Sequence, residues 1–251
     1  MPIGIEVHDL DMAPGVLEDA FDWLRHVDDV FSTYKSESEV MRFNRAELDA
    51  SQLTAEVVEV LDRCEQLRQE TGGYFDIRRP DGEGVDPSGY VKGWSVDRAA
   101  EILRKGGASN FCVNAGGDVI VAGSPQGERD WKVGIQHPLE RGMLAAVVVG
   151  SDLSIATSGA YERGAHIHNP LTGKSPSGLL SVTITGPELG TADAFATAAF
   201  AMGRDAVDWV AHLVAWDAMV IEEDQTVTMT PGFPDERVFG EPPTPENSVA
   251  P

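Results

Sequence analysis

Five short apolar segments follow one another between Phe111 and Thr157, and they constrain the fold more than any other feature of the sequence. Turn residues separate the segments, and each segment has the length and composition of a β-strand. The strand candidates cover residues 111–114, 118–122, 131–136, 144–149 and 153–157. The middle of the chain is therefore predicted to be a run of strands.

Helices are predicted on both sides of this strand region, because apolar residues recur there at helical spacing. The expected helices cover about residues 16–31, 54–70 and 95–106, a segment around Asp193, and a segment after Arg204. Further strands are expected over residues 4–9 and 181–185, and in a closing hairpin over residues 219–229. The chain becomes rich in Pro and Glu after Gly232. We therefore expect one domain over residues 1–232 and a disordered tail over residues 233–251.

The formal net charge of the 251 residues is -22. Such a surface argues against nucleic acid and against anionic lipid as partners, because both require a basic surface. Cys64 and Cys112 show no metal-binding spacing and are predicted to be core residues. The N-terminal residues contain no signal peptide or membrane span. The expected location is the cytoplasm for the sequence as written, or outside it if a leader has been removed.

The segment TADAFAT, residues 191–197, places Asp193 and Thr197 four residues apart in an alanine-rich helix. Residues at this spacing share a helical face, so a carboxylate and a hydroxyl can converge on one hard cation. The spacing predicts a magnesium site. The alternative is an aspartate that serves the helix dipole and a threonine bonded back to a carbonyl.

Three other segments carry groups that phosphate chemistry uses. DPSGYVKG, residues 86–93, is a turn-forming sequence that leads to Lys92, and an ammonium beside a helix start suits a phosphate oxygen. NAGGDV, residues 114–119, has a glycine pair that favours a tight turn between two strands. TSGAYERGAHIHNPLTGKSP, residues 157–176, holds His166 and His168, which strand alternation would place on one face.

The order of these motifs is similar to that of the ApbE family of FAD:protein FMN transferases. The matching patterns are DxxGxxKGxxVD, xNxGGD, SGxYER, HIxNPxTG and ADAxAT, joined by FSTYKSESEVMRFN (residues 31–44) and TGGYFD (residues 71–76). The resemblance implies a single α+β domain of T-fold-like architecture, with mostly antiparallel sheets packed with helices. It also implies transfer of FMN from FAD to a Thr or Ser hydroxyl of a client flavoprotein, with release of AMP.

The resemblance also implies roles for particular residues. Mg²⁺ would be bound by the side chains of Asp193 and Thr197 and by the Gly89 carbonyl, while Lys92 would contact the phosphates of FAD. His166 would orient or deprotonate the incoming hydroxyl, and Ile167 would pack against the cofactor. The remaining FAD-binding candidates are Met1, Tyr34, Tyr74, Phe75, Asp76 and Asp86, of which Asp86 is equally typical of an Asp-Pro turn.

Two departures from the family pattern affect this interpretation. Asn169 stands where relatives usually have an aspartate, and only residues 77–85 separate Asp76 from Asp86, where relatives commonly carry a longer insertion. Two other functions stay open on the sequence alone. One is a Mg²⁺-dependent FAD pyrophosphatase that uses water as acceptor, and the other is a flavin-binding or carrier protein without turnover.

Overall fold

Two antiparallel sheets form the centre of the protein. The structure is a computed structural model that describes residues 1–125, 130–159 and 168–236. The strands in these ranges are Ile3–Val7 (β1), Phe111–Ala115 (β2), Asp118–Ala122 (β3), Trp131–Gln136 (β4), Leu144–Gly150 (β5), Leu153–Gly159 (β6), Leu179–Gly186 (β7), Asp217–Glu222 (β8), Val227–Met229 (β9) and Asp235–Glu236 (β10). Seven of them form a large sheet with the order β1-β2-β3-β6-β7-β8-β9, and the other three form a small sheet with the order β10-β5-β4.

Helices form a layer on one side of the large sheet. They are Val16–Phe31 (α1), Glu39–Asn44 (α2), Ala55–Glu70 (α3), Ser88–Lys105 (α4), Leu189–Met202 (α5) and Ala206–Val210 (α6). α4, α5 and α6 make the main contacts with the strands, while α1 and α3 pack on α4 and α2 packs on α1. The largest hydrophobic cluster joins these helices to the sheet. The α+β prediction, with antiparallel sheets packed with helices, is therefore confirmed.

The small sheet covers the opposite face of the large one. Alternation along the strands divides the side chains between the two layers. In β2, Phe111 and Val113 belong to the helical cluster, whereas Cys112 faces a second cluster with Trp131 and Val133 of β4. Cys64 and Cys112 are both free and buried, as the sequence predicted.

The third predicted helix begins earlier than its apolar pattern indicated. The expected span was about residues 95–106, but α4 begins at Ser88, so the segment predicted as a turn around Lys92 is helical. The Asp86 carboxylate accepts a hydrogen bond from the Ser88 N–H (3.0 Å) at this end. The early start of α4 was not predicted because this segment contains Gly89 and Gly93, and glycine has a low intrinsic helix propensity.

The chain is ordered in a strand beyond residue 232. Phe233 is buried in the second cluster, and Asp235–Glu236 pairs with β5. Residues 233–236, the first part of the predicted tail, are therefore ordered. Residues 237–251 lie outside the described part of the chain, so disorder there remains a prediction. None of the described helices is long and apolar enough to cross a membrane.

Asp97, in the middle of α4, holds the N-terminus of α5. Its carboxylate accepts hydrogen bonds from the backbone N–H groups of Leu189 (2.9 Å) and Gly190 (2.8 Å). These donors lie in the first turn of α5, where a helix offers them no intrahelical partner. Burial raises the pKa of the Asp97 carboxyl to about 6, although the two hydrogen bonds act in the opposite direction.

We expect the stability of the wild type and that of an Asp97→Asn variant to differ in their pH dependence. A carboxyl whose pKa rises from 3.8 to about 6 on folding binds its proton more tightly in the folded protein. Its stabilising contribution is complete below the unfolded pKa and is lost as the pH rises through the folded pKa. The unfolding free energy of the wild type minus that of the variant should therefore fall by about 2 kcal/mol between about pH 4 and pH 7.

Urea unfolding at a series of pH values measures this difference, and the subtraction removes the contribution of the other carboxylates. A difference that stays constant across the range would show that folding leaves the affinity of Asp97 for its proton unchanged.

Candidate active site

A lysine and two aspartates from three different elements form a buried charged cluster. Lys92 lies in α4, Asp118 is the first residue of β3, and Asp193 lies in the second turn of α5. The Lys92 Nζ is 2.6 Å from Asp118 Oδ2 and 3.5 Å from Asp193 Oδ1. Asp118 is 1% exposed and Asp193 4%. When both carboxylates are ionised, the cluster contains two negative charges and one positive charge, so its net charge is negative.

Close contact between the backbones of α4 and α5 brings Lys92 and Asp193 together. A Cβ atom on Gly93 would lie 2.4 Å from the Leu189 carbonyl oxygen, and one on Gly190 would lie 2.9 Å from the Trp94 nitrogen. Only glycine leaves room for these two approaches. The Gly93 N–H favours the ionised form of the Asp193 carboxylate and so acts to lower its pKa.

The hairpin between β2 and β3 places Asp118 in the cluster. Gly116 and Gly117 form its turn with φ values of 62° and 99°, which side chains rarely tolerate, and the Asn114 side-chain oxygen accepts from the Gly117 N–H (3.0 Å). Asp118 Oδ1 accepts from the Thr157 N–H of β6 (3.2 Å). The carboxylate is therefore held by the sheet on one side and by Lys92 on the other.

The electrostatics of the cluster make Asp193 a candidate cation ligand. Burial raises the pKa of the Asp193 carboxyl above its usual range; the neighbouring Lys92 ammonium opposes this effect and the Asp118 charge adds to it. Among the described residues, the buried Asp193 Oδ2 has no hydrogen-bond partner. A buried carboxylate oxygen without a donor is a costly arrangement that a bound cation would relieve.

Thr197 and Gly89 lie one turn further along the same helix pair. The Thr197 hydroxyl is 3.5 Å from the position that a Cβ on Gly89 would occupy. Carboxylate, hydroxyl and carbonyl oxygens are ligands that suit Mg²⁺. No group of three or more His, Cys, Asp or Glu side chains within the described ranges could hold a metal by itself. Asp193, Thr197 and the Gly89 carbonyl therefore fit a Mg²⁺ ion that takes its other ligands from substrate phosphates and water.

The aromatic residues predicted to line a flavin or adenine pocket lie in different surroundings. Phe75 is 3% exposed, belongs to the main core, and has a ring carbon 3.4 Å from the Cβ position of Gly89. Tyr74 is partly buried against the same core. Tyr34 is 93% exposed. Phe75 therefore packs beside Gly89, whereas the Tyr34 side chain is exposed to solvent.

Asp76 lies in a cleft of about 240 Å³ between α3 and the following hairpin, together with Arg68 and Phe43. Its carboxylate forms an ion pair with Arg78. Neither Lys92 nor Asp193 lines this cleft. Asp76 therefore lines this cleft and pairs with Arg78 rather than with Lys92.

The remaining predicted residues are Met1, His166 and Ile167. The Met1 side chain lies over Gly116, because a Cβ on that glycine would be 2.6 Å from the methionine sulfur. Met1 is therefore next to the hairpin that carries Asp118. His166 and Ile167 lie outside the described residues, so their roles remain predictions.

Asn44 fixes the short hairpin that precedes α4. Its side-chain amide donates to the Val85 carbonyl (2.8 Å), and its side-chain oxygen accepts from the Val85 N–H (2.8 Å), so it pairs with Val85 as a strand would. Arg78 and Val85 form an antiparallel bridge in the same hairpin. These bonds set the position of Asp86 and of the first turn of α4.

Asn169 makes one hydrogen bond that an aspartate cannot make, because aspartate has no side-chain donor. Its side-chain nitrogen donates to the Ala201 carbonyl in the last turn of α5 (2.9 Å), while its side-chain oxygen accepts from the Leu171 N–H (2.9 Å). The departure from the family pattern at this position therefore ties the 168–174 loop to α5.

We expect Asn169→Asp to lower the free energy of unfolding by about 1–2 kcal/mol at pH 7. The change removes the donor to Ala201 and places a negative charge at the C-terminal end of α5, where the helix dipole is also negative. Thermal unfolding at neutral pH measures the effect. Equal stability of the two proteins would mean that the Asn169–Ala201 bond contributes nothing.

Sequence reasoning missed Asp118 and Asp97 as parts of the site. The available signal for Asp118 was a charged residue that opens an otherwise apolar strand, but the NAGGDV segment was interpreted as a turn. The turn prediction itself is confirmed by Gly116 and Gly117. Asp97 belongs to the DxxGxxKGxxVD pattern, yet its partner helix begins 92 residues later in the chain.

Antiparallel sheets packed with helices, with a lysine and two aspartates buried where two helices cross, define an α+β protein with a charged interior site. Residues 1–81 and 77–220 match the sequence model of the ApbE family. The chain belongs to the ApbE family.

Curated relatives and solved structures agree with this assignment. The FAD:protein FMN transferase of Vibrio cholerae is 26% identical over 239 residues, with 72% of each chain covered. That of Rhodobacter capsulatus is 32% identical over 158 residues, which cover 59% of this chain and 30% of the relative.

Two solved structures share the fold. The flavin transferase ApbE from Vibrio cholerae matches with a TM-score of 0.77 at 23% identity, covering 90% of this chain and 92% of the other. The ApbE protein of Thermotoga maritima matches with a TM-score of 0.81 at 22% identity, covering 91% and 93%. At these identities the two structures establish the architecture.

Proposed function

We propose that this protein is a Mg²⁺-dependent enzyme that transfers FMN from FAD to a Thr or Ser hydroxyl of a client flavoprotein and releases AMP. The observation that carries the proposal is the buried cluster of Lys92, Asp118 and Asp193, in which an aspartate oxygen lacks a hydrogen-bond donor beside a lysine. Membership of the ApbE family and the names of the curated relatives support flavin transfer.

The reaction breaks the phosphoanhydride bond of FAD and forms a phosphoester bond to the client. The client hydroxyl oxygen attacks the phosphorus nearer the riboflavin, the bond between that phosphorus and the bridging oxygen breaks, and AMP leaves with the bridging oxygen. The hydroxyl proton passes to a base, and the product is FMN joined to the client through a phosphoester. Such a transfer depends mainly on positioning and on neutralising phosphate charge.

The residues of the buried cluster suit this task. Asp193, Thr197 and the Gly89 carbonyl would hold Mg²⁺. When bound, the ion neutralises charge on the phosphate oxygens of FAD. Lys92 projects from the first half of α4 and would contact the same phosphates as a point charge. Because burial and fixed backbone geometry hold these groups before substrate arrives, little reorganisation is needed during the reaction.

The other predicted residues would act on FAD or on the hydroxyl. Asp86, Asp76, Tyr74, Phe75, Tyr34, Met1 and Ile167 would contact or shape the pocket for FAD. Tyr34 has the exposed ring that stacking requires. His166 would take the proton from the client hydroxyl, a role that an imidazole performs near neutral pH.

The proposal is tested by incubating the purified protein with FAD and Mg²⁺, with and without a client that carries a Thr acceptor. A gain in client mass equal to FMN supports transfer, and loss of that gain when the acceptor Thr is replaced by Val identifies the hydroxyl. AMP and free FMN without client labelling would indicate a pyrophosphatase. Unchanged FAD would indicate a flavin carrier.

A further inference from the structure

We propose that Asp118 is a positioning residue that holds the Lys92 ammonium away from the cation-binding carboxylate of Asp193. The inference rests on the proposed function, since it concerns the Mg²⁺ site assigned there. The two carboxylates compete for one ammonium, and the distances show which of them holds it more closely: 2.6 Å to Asp118 and 3.5 Å to Asp193.

The position of Asp118 is fixed by the sheet. The residue begins β3 directly after the Gly116–Gly117 turn, and its Oδ1 accepts from the Thr157 N–H (3.2 Å). With one oxygen committed to the neighbouring strand, the other oxygen faces Lys92. The side chain of Asp118 is 2% exposed, so solvent hardly screens its attraction for the ammonium.

Lys92 is held where it can interfere with a divalent cation. Its side chain is 17% exposed and lies between the two carboxylates. An ammonium that moved fully onto Asp193 would occupy a ligand oxygen and place a like charge beside the ion, and repulsion at such distances is strong in a buried site. Retention of the ammonium by Asp118 leaves Asp193 available to Mg²⁺ and Lys92 available to phosphate.

The inference predicts a specific pattern of non-additivity. In an Asp118→Asn variant, Asp193 is the remaining carboxylate of the cluster, so Lys92 moves toward it and competes with the cation. In a Lys92→Met background the competing ammonium is absent, so the same Asp118→Asn change should have little effect on the affinity for the cation. A direct effect of the Asp118 charge on the metal, or a purely structural role, would act equally in both backgrounds.

The experiment measures the binding of Mn²⁺ alone, without FAD, by electron paramagnetic resonance of the free ion. The proteins are the wild type, Asp118→Asn, Lys92→Met, the double variant Asp118→Asn/Lys92→Met, and Asp193→Ala. We expect Asp118→Asn to weaken Mn²⁺ binding about ten-fold or more in the wild-type background and less than about three-fold in the Lys92→Met background. Lys92→Met alone should bind Mn²⁺ at least as tightly as the wild type.

Three results would overturn the inference: equal weakening in the two backgrounds, no weakening in the wild-type background, or weaker Mn²⁺ binding by Lys92→Met than by the wild type. The last comparison needs no Asp118 variant, so it decides the question even if Asp118→Asn does not fold. Loss of Mn²⁺ binding by Asp193→Ala shows that the ion occupies the proposed site. Unchanged binding by Asp193→Ala would overturn the metal assignment itself, and the inference with it.

Discussion

The Asp193→Asn variant is expected to lose FMN transfer by about a thousand-fold while keeping its fold, because a metal ion contributes several kcal/mol to such reactions. Asparagine has the size of aspartate and keeps a side-chain oxygen that can face the Gly93 N–H. The negative charge that holds the cation is lost. Since burial already disfavours the ionised form of Asp193, removing its charge should cost little stability.

Initial rates of client labelling over a range of Mg²⁺ concentrations measure this effect, and circular dichroism checks the fold. Asp208→Asn, an exposed aspartate on α6, is a matched control that makes the same chemical change outside the site. Full activity of Asp193→Asn at ordinary Mg²⁺ concentrations would contradict the metal assignment.

The Gly93→Ala variant is expected to lose about 3 kcal/mol of unfolding free energy and most of its activity. Its added methyl group would lie 2.4 Å from the Leu189 carbonyl oxygen, which is backbone and cannot rotate away. α4 and α5 would have to separate, and this would move Lys92 and Gly89 away from Asp193 and Thr197. The variant should therefore lose both unfolding free energy and the arrangement of the site residues.

Gly89→Ala is the matched control for this substitution, because it makes the same change one turn earlier in α4. A Cβ at Gly89 would be in ordinary van der Waals contact, 3.4 Å from Phe75 and 3.5 Å from Thr197. Urea unfolding of both variants, with client labelling below the unfolding transition, makes the comparison. Similar losses in the two variants would show that the helix crossing is not the cause.

Apart from β10, which lies in the predicted tail, the described strands were predictable from sequence to within a few residues, whereas the start of α4 was not. Asp118–Ala122 and Trp131–Gln136 have the predicted bounds because turn residues flank each apolar run. The glycines of α4 suggested a turn, since glycine has low helix propensity, but their lack of side chains is what lets α5 approach. A tertiary contact between distant segments therefore overrode a local preference.

The site was predictable only in part for a similar reason. Lys92, Asp193 and Thr197 were singled out from short local patterns and Gly89 from the family resemblance, and the structure brings the four residues together. Asp118 depends on long-range contacts: its partners are Lys92 and Thr157, which lie 26 residues before it and 39 residues after it. The sequence pattern around Asp118 does not indicate these contacts.

The pairing of Asn44 with Val85 has an evolutionary consequence. Residues 81–83 form the exposed tip of the hairpin, and the Arg79 N–H bond to the Gly84 carbonyl (3.0 Å) closes the loop behind them. Loops lengthen at small thermodynamic cost when their ends stay fixed. Insertions of different length can therefore accumulate at this tip, and alter how each lineage presents its surface, without shifting the catalytic helix below.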